Sequence, residues 1–477
     1  MLNNSFSKLI GLVILSVSIF ACKTPNLVQK TVNKTVPQTY ANSADTAKKE
    51  LITWKEYFTD LYLIDLIDSA LVKNQELNII LQEIAISHNE VRVRKGEYLP
   101  FINLQAGADL EKVGRYTRQG ANDANTDIKR GRKMPDPLSN LMLAANAQWE
   151  IDIWHKLRNA KAAAVDRYLA SIEGKNFMVT NLIAEIANAY YELLALDNQR
   201  EILKQNIEIQ SNALEIVRLQ KQAAKVTELA VRRFEAEVLS TRSLQFEIDQ
   251  QIIETENWIN FLIGRFPAPV PRDPNSFNDL TTESLIAGIP AQLLENRPDI
   301  KQAELELTAA DLDVKSAKAN FYPSLDISAA IGLEAFKPEF LVRTPESMLY
   351  ALAGDLVGPL INRNAIKAAY YSANAKQLQA IYSYEKTVLS AYIEVVNQQS
   401  MLLNLKQSYD LKLQEVEALK ASITISNDLF SSARADYMEV LLTQRDALEA
   451  RFELVETKMK QMHAKVDIYQ ALGGGWK

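Results

Sequence analysis

The chain has 477 residues, more than one ordinary hydrophobic core organises, which suggests two or three units. It is 47% hydrophobic and 23% charged with a net charge of −6, which excludes a disordered chain and leaves no basic excess for a nucleic-acid partner. One cysteine and three histidines leave little material for a disulfide framework or a zinc site, and 15 glycines and 15 prolines are few for a large loop-rich β-protein.

Lys8 precedes an apolar run at residues 9–20, which ends at Ala21-Cys22. The run is too short to span a bilayer and reads as a secretory signal over residues 1–21. A small residue before a cysteine resembles a bacterial lipobox, in which Cys22 is lipidated and becomes the first mature residue. The competing reading is a free cysteine within an ordinary signal region. Residues 22–60 read as an extended, lipid-anchored arm, since residues 23–49 are polar and lack helical or strand period. Each acyl CH₂ buried in the bilayer would contribute about 0.8 kcal/mol.

Beyond residue 60 the chain is written twice. Glu97-Tyr98-Leu99-Pro100-Phe101-Ile102 matches Asn320-Phe321-Tyr322-Pro323-Ser324-Leu325, and the match runs without gaps from Leu71/Leu294 to Glu111/Glu334. Asn260-Phe261-Leu262-Ile263-Gly264 likewise parallels Tyr469-Gln470-Ala471-Leu472-Gly473. The first copy occupies residues 61–264 and the second 291–477. Each reads as a helix, two strands and two very long helices. Residues 265–290 hold Pro267, Pro269, Pro271 and Pro274 and read as a linker or small irregular belt.

Strands are expected at about 101–110, 143–153, 324–334 and 349–361. Ile102, Leu104, Ala106, Ala108 and Leu110 alternate with Asn103, Gln105, Gly107 and Asp109, and the next two strands repeat the pattern. The fourth is poorer and fits if Trp149 aligns with Leu356. Such segments suit a transmembrane β-barrel wall, and equally a sheet packed on helices. Four strands cannot close a barrel, and open edges in lipid leave backbone groups unsatisfied at several kcal/mol each. If these strands span a membrane, several copies must close the sheet.

The helical stretches are free of proline from 138 to 266 and after 359. Apolar residues recur every seventh position at Ile381, Val388, Val395, Leu402, Tyr409, Val416, Ile423 and Phe430, then at Leu441, Leu448, Val455, Met462 and Tyr469. That is a coiled-coil seam. The register slips at 431–437, which reads as a hairpin tip, and residues 222–227 are the equivalent tip of copy one.

Five segments in this order resemble the TolC family of outer membrane efflux channels, especially its NodT-type lipoproteins. They are Asp65-Leu66-Ile67-Asp68-Ser69-Ala70-Leu71; Trp149-Glu150-Ile151-Asp152-Ile153-Trp154, with His155 where the family has glycine; Ile289-Pro290 through Asn296-Arg297-Pro298-Asp299-Ile300; Phe321-Tyr322-Pro323-Ser324-Leu325; and Ala471-Leu472-Gly473-Gly474-Gly475-Trp476. The resemblance covers nearly the whole mature chain. It implies a mainly α protein with a membrane β-barrel portion: a homotrimer with a twelve-stranded barrel in outer membrane lipid and a long α-helical barrel in the periplasm. The implied partners are a periplasmic adaptor and an inner-membrane pump, often of the resistance–nodulation–division type. No covalent chemistry, cofactor or metal is implied.

The family's periplasmic aperture lies just past the second tip. By that resemblance Met438 takes the place of a pore-lining leucine and Leu442 that of a pore-lining aspartate, a departure that implies a hydrophobic gate. The other reading makes both ordinary seam residues. Asp436 and Glu439 are entrance candidates, or simply solvated charges. The adaptor would meet the tips at Ala223, Ala224, Lys225, Val226 and Thr227 and at Ala433, Arg434, Ala435, Asp436 and Tyr437, with Ala433 at the family's tip glycine and Ala224 at the same place in copy one. Trp149, Trp154, Tyr98, Phe101 and Tyr322 flank the strands, either as membrane-interface anchors or as packing at the strand–helix junction. The long connection after residue 109 holds Arg115, Arg118, Lys129, Arg130, Arg132 and Lys133 and reads as an extracellular loop. His88, His155 and His463 lack ligand spacing, so an enzyme has no parts to work with. A lipid-anchored periplasmic scaffold or adaptor without a pore remains the alternative to a channel.

Overall fold

The computed structural model describes residues 24–40, 52–280, 289–432 and 434–475. Copy one contributes α1 (Leu61–Lys73), α2 (Gln75–Tyr98), β1 (Phe101–Glu111), β2 (Leu138–Ile151), α3 (Lys156–Gln222) and α4 (Glu228–Leu262). Copy two contributes α5 (Pro298–Ala319), β3 (Ser324–Ala335), β4 (Met348–Val357), α6 (Asn364–Ser431) and α7 (Tyr437–Ala471). The chain divides into two compact units, one formed by residues 24–31, 85–169 and 305–382, the other by 32–84, 170–304 and 383–475.

The first unit holds a four-stranded antiparallel sheet in the order β1-β2-β3-β4. Two strand ends differ from the sequence expectation for clear reasons. β2 stops at Ile151 rather than 153 because Asp152 leaves the ladder: its carboxylate accepts from the backbone N–H groups of Leu157 and Arg158 at 3.0 and 2.9 Å and so caps α3. β4 stops at Val357 because Gly358-Pro359 follows, and proline cannot donate to a ladder. β2 also begins five residues before the expected 143, where Leu138–Met142 pair with β1. The register pairs Phe101 with Gln148 and Ser324 with Val357, so the repeat aligns Trp149 with Gly358 rather than Leu356, a shift of two that preserves the faces.

The second unit is helical. Asp60 caps α1 through Tyr62 N–H at 2.8 Å, and Thr53 N–H donates to Glu56 at 3.0 Å around the short helix Trp54–Tyr57. This helix and Phe58 lie in the core, with Tyr57 stacked on Tyr469 at 4.1 Å. The body of the protein therefore begins within the stretch that reads as arm. The heptad residues Ile381, Val388, Val395 and Val416 of α6 and Leu441, Val455, Met462 and Tyr469 of α7 are buried. Each such aliphatic side chain contributes about 1.5–3 kcal/mol on full burial.

The arm itself is strapped along α6. In the first unit Asn374 Nδ2 donates to Val28 O at 3.1 Å and Lys30 Nζ lies 4.0 Å over the Tyr382 ring. In the second, Asn33 N–H donates to Glu385 at 3.1 Å, Lys34 pairs with Glu304 at 2.5 Å, and Tyr40 stacks on Tyr392 at 5.6 Å.

The duplication reaches single hydrogen bonds. Asn74 and Arg297 occupy equivalent positions, and both are 4% exposed. Asn74 Nδ2 donates to Leu262 O at 2.7 Å, and Arg297 donates to Ala471 O at 2.9 Å; the two acceptors are themselves equivalent, at the ends of α4 and α7. Arg297 also forks onto Asp299 at 3.0 and 2.7 Å and reaches Glu394 at 2.7 Å. Gly264 and Gly473 follow at φ +69 and +85, each with backbone where a Cβ would stand.

Candidate functional site

Directly paired residues of an antiparallel sheet share a face, so the register assigns both faces of this one. Leu104 pairs with Ala145, Ala145 with Ile331 and Ile331 with Tyr350; Ile102, Leu143, Leu333, Leu352 and Leu356 join that face through the same ladders. The opposite face carries Asn103, Gln105, Asn146, Gln148, Asp326, Ser328 and Asp355. Asn146 Nδ2 donates to Gln105 across it at 3.1 Å. Among the described residues the apolar face has no cover: Leu104 is 83% exposed, Tyr350 84% and Leu352 79%. A surface sheet packed on helices would bury these side chains, so that reading does not describe this sheet. β1 and β4 present unpaired edges as well.

The aromatic flank of the sheet is built into the strand–helix junctions. Trp149 Nε1 donates to Tyr98 O at 3.1 Å, and Trp154 Nε1 donates to Pro323 O at 2.9 Å while its ring stacks on Tyr322 at 4.7 Å. The rings remain partly exposed, and Phe101 is 67% exposed. His155, at the family's glycine, has φ 59, and Asn362 takes the same left-handed conformation at φ 54 just before α6.

At the tips, α3 ends with Lys225 N–H donating back to Gln220 O at 2.9 Å, which puts Ala224 at φ 57. Thr227 caps α4 through Ala230 N–H at 3.4 Å. Arg434 N–H closes the end of α6 in the same way, onto Leu429 O at 2.8 Å. Ala223, Ala224, Lys225, Thr227, Arg434 and Asp436 are exposed; Val226, Ala435 and Tyr437 are half-buried. Ala433 lies outside the described residues, as does Cys22.

The two tips share one apolar cluster: Leu214, Val217, Ala230, Val231, Phe234, Val238, Val440 and Leu441, with Val226, Phe430 and Tyr437 against it. Val440 and Leu441 occupy the buried side of α7. Met438 is half-buried, Leu442 is 41% exposed and Glu439 is exposed, so these lie off the buried side. Lys221 pairs with Glu228 across the first tip, and Glu228 pairs with Arg232 one turn along α4 at 2.9 Å. Asp152 and the Asn74/Arg297 pair are structural residues whose roles sequence reasoning missed. The gap-free repeat aligned the last two, but nothing in it named their acceptors.

Among the described residues no helix is long and apolar enough to cross a membrane, and no cluster of three metal-ligating side chains occurs. The outer membrane efflux protein family model matches residues 66–265 and 289–474. The chain belongs to this family. The efflux protein is 26% identical over 438 residues to the pyoverdine export outer membrane protein OpmQ of Pseudomonas aeruginosa, covering 92% of this chain and 90% of that one. It is 23% identical over 425 residues to the cation efflux system protein CusC of Escherichia coli, covering 89% and 88%. Among solved structures its fold matches CusC with a TM-score of 0.81 at 21% identity, covering 94% of this chain and 99% of that one. The open-state outer membrane channel MtrE of Neisseria gonorrhoeae matches with a TM-score of 0.82 at 23% identity, covering 95% and 99%. The fold is therefore TolC-like and the protein is an outer membrane efflux protein.

Proposed function

We propose that this efflux protein is the outer membrane channel of a tripartite exporter, passively conducting small molecules that an inner-membrane pump and a periplasmic adaptor hand over. The observation that carries this reading is the uncovered apolar face of an open four-stranded sheet. A scaffold without a pore has no use for such a face. Three copies would join their edge strands into a twelve-stranded barrel, apolar side to lipid and polar side to water. Cys22 would anchor each copy by lipid. The exposed tip residues would meet the adaptor, and Met438 and Leu442, outside the apolar cluster of the tips, would form an apolar constriction that gates by dewetting. The relatives OpmQ and CusC are named for pyoverdine export and for cation efflux, and such different cargoes support a conduit whose pump selects the substrate. The mass of the detergent-solubilised protein tests the assembly: a heat-modifiable trimer is expected, and a stable monomer inserted in vesicles would contradict it.

A further inference from the structure

Arg451 and Lys458 stand seven residues apart on α7, hence on one face and about 10 Å apart along the axis. Both line a cavity of about 700 Å³ within the helical unit. Three other cations of the lining have carboxylate partners: Arg200 with Asp197 at 2.9 Å, Lys204 with Glu201 at 3.7 Å and Lys420 with Glu417 at 2.6 Å. Among the described residues Arg451 and Lys458 have no carboxylate within ion-pair distance. Lys458 is 9% exposed, and its Nζ donates to Asn278 O at 2.7 Å and lies 5.6 Å over the Phe277 ring. Arg451 is half-buried and donates to Gln205 Oε1 at 3.0 Å. Burial pushes both groups below their ordinary pKa values, opposed at Lys458 by the nearby Asp279.

Neutral acceptors and a ring face only partly replace the water that a buried cation gives up. Tyr409 and Leu454, both half-buried, add apolar wall to the same cavity. We propose that the cavity binds an organic anion, its carboxylate or phosphate group between Arg451 and Lys458 and its apolar body against Tyr409 and Leu454. An oxyanion supplies the charge-assisted acceptors that both cations lack. The site needs only the folded helical unit and stands whether or not the protein conducts.

Calorimetric titration of the full-length protein in non-ionic detergent tests this with three probes: phenyl phosphate, benzoate and inorganic phosphate. The two aromatic anions are expected to bind, more tightly than inorganic phosphate. Arg451→Gln and Lys458→Met are each expected to weaken them at least tenfold, whereas Lys460→Gln, in an exposed pair with Glu456 outside the cavity lining, leaves binding unchanged. Lys458→Met keeps a long side chain and removes a buried charge, so it is expected to fold. Absence of binding to wild type, wild-type affinity in either variant, or inorganic phosphate binding as tightly as phenyl phosphate would overturn the proposal.

Discussion

Arg297 holds a helix end, an aspartate and a glutamate with one guanidinium, whereas its equivalent Asn74 holds a helix end and caps α2 through Leu77 N–H at 2.7 Å. Removing Arg297 leaves Asp299, whose side chain is 15% exposed, without its partner. Arg297→Met should therefore cost about 3 kcal/mol, as expected for a buried pair broken from one side. Asn74→Ala should cost less, about 1–2 kcal/mol for a lost cap and one buried hydrogen bond. Thermal unfolding of the two variants should rank them in that order. Ala224 sits where the left-handed conformation costs a Cβ-bearing residue roughly 1 kcal/mol. Ala224→Gly should slow hydrogen exchange at the first tip, and faster exchange would argue against strain there. The family motif around Arg297 was legible in the sequence. Its work was not, because Ala471 O and Glu394 lie far away along the chain and only the fold brings them in.

At the scale of elements, hydrophobic period carried most of the information. Spacing of seven marked the buried side of α6 and α7, and α6 ends at the slip in that spacing; the first tip was placed only by equivalence between the copies. Alternation marked the strands but left their environment open, since a membrane wall and a packed sheet write the same pattern. Exposure along the paired faces decided between them. Leu141-Met142-Leu143 blurred the start of β2, because three apolar residues in a row hide which one turns to the polar side; the register gives that place to Met142, opposite Gly107. A charge tests the face assignment. Leu104→Arg should cost about 2–4 kcal/mol per copy near the middle of the bilayer and reduce insertion into vesicles. Gln105→Arg, one residue on and on the other face, should insert like wild type. Equal insertion of both would contradict the assignment.

For the whole molecule, length first suggested two or three globular units, and the repeat replaced that with one unit written twice. The shortage of glycine and proline then fits a chain of long helices, and the lone cysteine fits the anchor proposed for it. In the proposed function, copies of this chain close a conducting pore whose tip is gated by Met438 and Leu442. Single-channel recording in planar bilayers, with wild type and Leu442→Asp side by side, tests it most directly. The expected result is discrete current steps, with divalent-cation block appearing in the variant as a carboxylate ring replaces an apolar one. Inserted oligomers of both proteins that carry no current would contradict the channel, and identical divalent-cation block in the two would contradict the gate.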